Sequence, residues 1–269
     1  MITLLSNWML LKNMRILPFL LLPAICLAQD PGPSVEVQRD YNSLIVAQVK
    51  RIPEGGTYAA NKLAIVRLRS AGHFESGKFF TIPKTPFPSF CSGATYLVFV
   101  RTLEELRRQG KLTYKFDTVN ALVIRGQRDG EGIWGRWNAN GPGTARLFHE
   151  LKLGRNFTEY SQAKPGDFMK IFWTKEVGKL ERGHSVIYMG SSKLDGADHV
   201  TFWSSNQPDG YGTKTIPKSK IAHAIFSRLE NPENLNNITE IPDFDPYLGS
   251  LLEVRSSFKE AKEKCGIDH

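Results

Sequence analysis

The apolar residues of this chain change their spacing partway along, and that change limits the fold more than any other feature. Over residues 41–51, 59–71 and 92–109 they recur about every 3.6 positions, the interval that returns side chains to one face of a helix. In the third stretch the recurrence runs through Tyr96, Leu97, Val100, Leu103 and Leu106. Arg107 and Arg108 suit the negative end of that helix, Gly110 stops it, and Ser89 is its expected N-cap. Pro53-Glu54-Gly55-Gly56 separates the first two helices as a turn, and residues 72–89, with several prolines, read as a loop that delivers the chain extended to Cys91. Further helices are expected over 117–124 and from Gly141-Pro142-Gly143-Thr144 to Leu153, with a glycine-rich connection over 126–135.

Beyond Lys164 the character is different. Residues 167–173, 184–189, 200–205 and 221–226 are short runs of aromatic and β-branched residues divided by Gly, Pro, Asp and Asn. They read as an antiparallel meander in which 191–198 is a hairpin loop, and a helix over 250–264 closes the chain. Helices first and strands later define an α+β domain, with the N-terminal helices packed on a small antiparallel sheet.

The first residues lie outside that pattern. Lys12 and Arg15 precede an apolar run, Ile16 to Ala28, interrupted by Pro18 and Pro23, and a small residue stands before Gln29-Asp30. A basic flank, a short apolar run and a small residue at the cut describe a secretory signal peptide over 1–28. A spanning helix needs about 20 apolar residues, so no stable membrane span is expected after cleavage. Residues 29–40 then form a linker, and 41–269 a single domain, exported to the periplasm or the extracellular space. Removal of Cys26 with the signal leaves Cys91 and Cys265, which in an oxidising compartment could pair. They form no CxxC and join no Cys/His cluster, so a metal site is not expected. The net charge of +8 (Lys+Arg 35, Asp+Glu 27) suits an anionic partner, but the basic residues are scattered without a run or motif for nucleic acid.

Cys91 is the residue whose setting points to chemistry. A thiol at the start of a helix meets unpaired N–H groups and the positive end of the dipole, both of which favour the thiolate. The backbone N–H groups of Cys91 and Ser92 would face an oxyanion formed in acyl transfer. His184 opens a strand after Gly183, on the face shared by Val186 and Tyr188, and could supply the base. Both residues also have ordinary readings, a small buried hydrophobe and a strand-edge histidine.

Three segments in order carry a resemblance. Phe90-Cys91-Ser92-Gly93 with its helix resembles the D-C-S-G nucleophile helix of the NlpC/P60 cysteine peptidases. Pro165-Gly166-Asp167 is similar to their P-G-D turn, and Gly183-His184-Ser185-Val186-Ile187-Tyr188-Met189-Gly190 to their H-V-G-I-Y-x-G strand. Phe90 replaces the usual Asp, the stretch between Ser92 and Pro165 is long, and the family's upstream aromatic motif has no evident counterpart. The resemblance implies a papain-like domain and a Cys91–His184 pair that needs no cofactor. It also implies a third polar residue that orients the imidazole. If Met189 faces His199 in the hairpin, that residue is Ser204; a two-residue change of register presents Asn206, whose amide oxygen is the better acceptor. The implied activity is cleavage of amide bonds in peptidoglycan stem peptides or similar peptides. Acyl transfer or amidase chemistry on lipids or small amides, and a non-catalytic envelope-binding module, are the alternatives. Asp167 reads as a structural turn carboxylate, Glu104 and Glu105 as solvent-facing, and Trp173, Phe202, Trp203 and Tyr211 as core or groove aromatics.

Overall fold

The computed structural model describes residues 41–75, 78–82 and 84–267, with the Phe74 side chain excepted. The expected signal peptide, the linker and His269 lie outside them. In chain order the elements are α1 (Asn42–Lys50), β1 (Gly55–Gly56), α2 (Lys62–Ala71), β2 (Gly72–Glu75), β3 (Lys78–Thr81) and α3 (Cys91–Arg108). These are followed by α4 (Phe116–Leu122), α5 (Gly132–Asn138), α6 (Gly143–Glu150), β4 (Gly154–Phe157), β5 (Phe168–Phe172) and β6 (Val177–Gly178). The chain continues through β7 (Gly183–Leu194), β8 (Ala197–Asn206), β9 (Gly210–Pro217), β10 (His223–Leu229), α7 (Pro246–Ser250), β11 (Arg255–Ser256) and α8 (Phe258–Lys264). Six helices, α1 to α6, precede strands β4 to β10, and the architecture is α+β.

A 7-stranded antiparallel sheet runs in the order β1-β9-β8-β7-β5-β10-β4. Only its β5-β7-β8-β9 portion is a meander. β10 crosses back to lie between β5 and β4, which corrects the simple meander expected from the sequence. The sheet is apolar on both faces. Alternation along β7 sends Val186 and Tyr188 to one side, where they pack with Met169, Ile171, Phe202 and Phe226. Ile187 points to the other, into a core shared with Phe168, Trp203 and α3.

α3 is the central element. Leu97, Val98, Phe99, Leu103 and Leu106 are buried to 1% exposure or less, and complete burial of a large apolar side chain contributes about 1.5–3 kcal/mol. Phe99 stacks on Trp137 with ring centroids 4.7 Å apart, and Phe168 closes edge-on at 6.0 Å, joining helix to sheet through aromatic contacts. The polar edges of this cluster are satisfied: Trp137 Nε1 donates to Thr95 Oγ1 (3.1 Å) and the Tyr96 hydroxyl to the Leu122 carbonyl (2.6 Å). Glu104 is buried and held by Arg107 at 2.7 Å, not solvent-facing as expected. Glu105 is partly covered and pairs with Arg108.

Asp167 is the buried anchor of the turn into β5. It is 0% exposed; Arg228 grips both its oxygens at 2.8 and 2.7 Å, Asn42 donates at 2.8 Å, and the Lys164 N–H at 2.7 Å. The structural role expected for it stands.

Other local expectations are revised. The loop over 72–89 contains the β2–β3 hairpin. The glycine-rich connection over 126–135 includes the start of α5, where Gly135 is needed because a Cβ there would meet the Arg128 carbonyl oxygen at 2.2 Å. The hairpin loop expected over 191–198 is mostly strand, with Leu194 paired to Ala197 across a turn at Asp195-Gly196. The closing helix is divided into α7, β11 and α8.

Candidate active site

α3 begins at Cys91, and the residue before it, Phe90, is extended (φ −141, ψ 164) with no side-chain cap. Ser89, the expected N-cap, is occupied elsewhere: its hydroxyl donates to Ser205 Oγ at 2.8 Å. The first intrahelical bond runs from the Ala94 N–H to the Phe90 carbonyl, so the N–H groups of Cys91 and Ser92 have no helical acceptor. Cys91 thus stands half-buried at an open helix start. The Ser92 side chain donates to Asn138 Oδ1 at 2.6 Å, which fixes the first turn of α3 to the end of α5.

His184 reaches this point from the second position of β7. Its Nε2 lies 3.0 Å from Asn206 Oδ1. The Asn206 Nδ2 donates to the carbonyls of Ser204 (3.2 Å) and Gly212 (2.8 Å), so its oxygen must face the ring. Nε2 therefore carries the proton and Nδ1 is left for the sulfur. Trp173 stacks on the imidazole at 6.1 Å and Phe202 meets it edge-on at 5.7 Å.

The register explains why the orienting contact falls to Asn206. β7 and β8 pair Ser192 with His199 and Ile187 with Trp203, with a bulge between Tyr188 and Gly190. Continued along the ladder, Ile187 opposite Trp203 sets His184 opposite Asn206. Met189 does not face His199, and the Ser204 assignment that depended on it is corrected. Ser204 donates instead to the Ser185 carbonyl at 2.7 Å, steadying the peptide whose neighbouring N–H bonds the Cys91 sulfur.

Electrostatics complete the arrangement. Burial alone would raise the Cys91 thiol. The hydrogen-bonding contact and charge of His184, the backbone N–H of Ser185 and the charge of Lys170 together outweigh burial and bring it from 9.0 down to about 6. The other cysteine behaves oppositely. Cys265 is buried at the end of α8 and its thiol is pushed up by burial. Both cysteines are free, so the pairing considered from the sequence is not formed.

Two residues that act on the thiol, Lys170 and Tyr58, were not singled out from the sequence. Tyr58 is carried to the thiol by a parallel bridge to Ser89, with Ala59 N–H bonded to the Ser89 carbonyl at 2.8 Å. Its hydroxyl is raised by burial, by the charge of Cys91 and by a hydrogen bond to that sulfur. It sits just after Gly55-Gly56, and an aromatic beside paired glycines was the available signal. Of the expected aromatics, Trp173 and Phe202 line the site, while Trp203 and Tyr211 are core residues stacked at 5.6 Å.

Cys91, His184, Asn206 and Tyr58 open into one cavity of about 550 Å³. Among the described residues no cluster of three or more His, Cys, Asp or Glu could hold a metal ion, and no helix is long and apolar enough to cross a membrane. Compared with known proteins, the chain matches no family model, no curated protein and no solved structure.

Proposed function

We propose that this chain is an exported, papain-like cysteine hydrolase of the NlpC/P60 type that cleaves amide bonds, with cell-wall stem peptides as its substrate class. The observation that carries the reading is the convergence of a lowered-pKa thiol at an uncapped helix start with a histidine whose far nitrogen is held by an amide. That is what a nucleophile, its base and an orienting group require.

In the proposed reaction His184 Nδ1 takes the Cys91 proton and the thiolate attacks the amide carbon. The oxyanion is met by the N–H groups of Cys91 and Ser92, which the helix leaves open, and by the Tyr58 hydroxyl. The imidazolium, steadied by Asn206, gives its proton to the departing amine. Water then hydrolyses the thioester with His184 again as base. Lys170 supplies a fixed positive charge near the sulfur. The order of parts, cysteine helix, histidine strand, orienting strand, and the turn built on Asp167 support the family reading.

The test is hydrolysis of peptidoglycan fragments by the wild type and by Cys91→Ala, with folding followed by circular dichroism. Loss of cleavage with an unchanged fold is expected; equal cleavage by the variant would refute the mechanism. A competing amine in the same assay separates hydrolysis from acyl transfer.

A further inference from the structure

We infer that the cavity over Cys91 selects substrates bearing a carboxylate close to the reacting carbonyl, and that Arg182 is the side chain that recognises it. The inference deepens the proposed function and rests on it.

Besides His184, the charged side chains of the cavity wall are Lys170, Glu181, Arg182 and Lys214. Lys170 and Glu181 satisfy each other, with Nζ 2.6 Å from Oε1 and both side chains largely buried. The second oxygen of Glu181 accepts from the N–H groups of Gly141 (2.7 Å) and Gly178 (3.0 Å), so this carboxylate is fully engaged. Lys214 donates to the Gln207 carbonyl at 2.7 Å and stands 4.0 Å from the exposed Asp209. Arg182 differs from all three. It is exposed, and no described residue forms a hydrogen bond or ion pair with its guanidinium.

Its placement is set by the sheet. The Trp173 N–H donates to the Arg182 carbonyl at 3.0 Å, extending the pairing of Phe172 with Gly183 by one step. Arg182 and His184 are two residues apart on extended backbone and share a face. Their Cα positions are separated by about 6.6 Å along the strand, roughly the reach from a scissile amide to a substituent on the next carbon atoms. Trp173, across from Arg182, stacks on His184 and with Phe202 and Ile216 gives the cavity an apolar wall. With Lys170 and Glu181 cancelling each other, Arg182 and Lys214 leave a positive field inside a partly enclosed cleft. A guanidinium presents two parallel donors to a carboxylate. The site therefore offers an apolar bed, a nucleophile and an unspent planar cation in one line.

Alkylation of Cys91 reads this selectivity without knowledge of the natural substrate. The thiolate displaces iodide from the CH₂ carbon, forming C–S and breaking C–I, and iodoacetate differs from iodoacetamide only in carboxylate against carboxamide. The rate ratio of the two reagents, normalised to a free small thiol, is measured at pH 7 in the wild type, Arg182→Gln, Arg182→Lys and Lys214→Gln. The expected result is a preference for iodoacetate that falls about tenfold in Arg182→Gln, is mostly retained in Arg182→Lys, changes less in Lys214→Gln and weakens with added salt. The same ratio in wild type and Arg182→Gln would overturn the inference while leaving the proposed function standing. Inertness of Cys91 to both reagents would overturn both.

Discussion

Asn206 and His184 are directly opposed on neighbouring strands, and the 3.0 Å contact between Oδ1 and Nε2 is the only orientation that the two carbonyls gripping the amide allow. Asn206→Ala frees the ring to turn away from the sulfur. We expect kcat to fall about 10–100-fold with KM little changed, since small losses of alignment are costly in rate. Ser204→Ala is the control: it removes one buried hydrogen bond to the Ser185 carbonyl, costs about 1 kcal/mol of stability, and leaves most of the rate. Steady-state kinetics and chemical denaturation on both variants decide the assignment.

The Cys91 thiol, brought down to about 6 by its surroundings, fixes a pH profile. An acid whose folded pKa is lowered is ionised above that value, so alkylation by iodoacetamide should rise through a midpoint near pH 6 and level off above it. Below the midpoint the rate should drop about tenfold per pH unit. Cys265, buried and shifted upward, should label only after denaturation. Mass spectrometry should then find one modified thiol among the described residues in the native protein and a second after unfolding. A midpoint near 9 would remove the activated thiol.

The Tyr58 hydroxyl hydrogen-bonds the same sulfur. Tyr58→Phe keeps the ring and deletes the donor. If the hydroxyl holds the oxyanion, kcat should fall by about 10²-fold, the usual scale for one oxyanion donor, with the alkylation rate at pH 8 much less affected. Equal losses in both measurements would assign Tyr58 to thiol activation instead.

The Asp167–Arg228 pair is sealed from bulk water, with side-chain exposures of 0% and 2%. Asp167→Ala leaves a buried guanidinium without its counter-ion. A loss of about 3–5 kcal/mol is expected in urea unfolding. A change under 1 kcal/mol would mean that the turn is held by its backbone alone.

Sequence periodicity located α3, the strands of the histidine hairpin and the helix over 42–50 because each is long enough for its spacing to show. It missed β9 because Gly210-Tyr211-Gly212-Thr213 carries the residues of a turn. Gly210 serves close packing: a Cβ there would meet the Gly55 carbonyl oxygen at 2.4 Å, so the strand's first residue reflects its neighbour. The start of α5 was hidden by Gly132, at φ +61, and by Gly135, which packs against the Arg128 carbonyl.

Within the site, Cys91 and His184 were legible from local context, whereas the choice between Ser204 and Asn206 was not. It turns on the place of the hairpin turn, at Asp195-Gly196 and not over 191–198, and on a bulge after Tyr188 that shifts the pairing by one residue, so that His184 faces Asn206. Alternation of polar and apolar residues cannot reveal such a step when both faces of the sheet are apolar, as they are here. Tyr58 escaped because a single bridge outside any long strand has no periodicity to detect.

The contact of Asn42 with Asp167, and with the carbonyls of Lys164 at 3.3 Å and Pro165 at 3.1 Å, ties the start of α1 to the turn ahead of β5. Truncation from the N-terminal side therefore meets a boundary written into the molecule. A cut upstream of that clasp spares every bond of the buried ionic knot, whereas one just past it would strip a donor from a sequestered anion and leave α1 to detach.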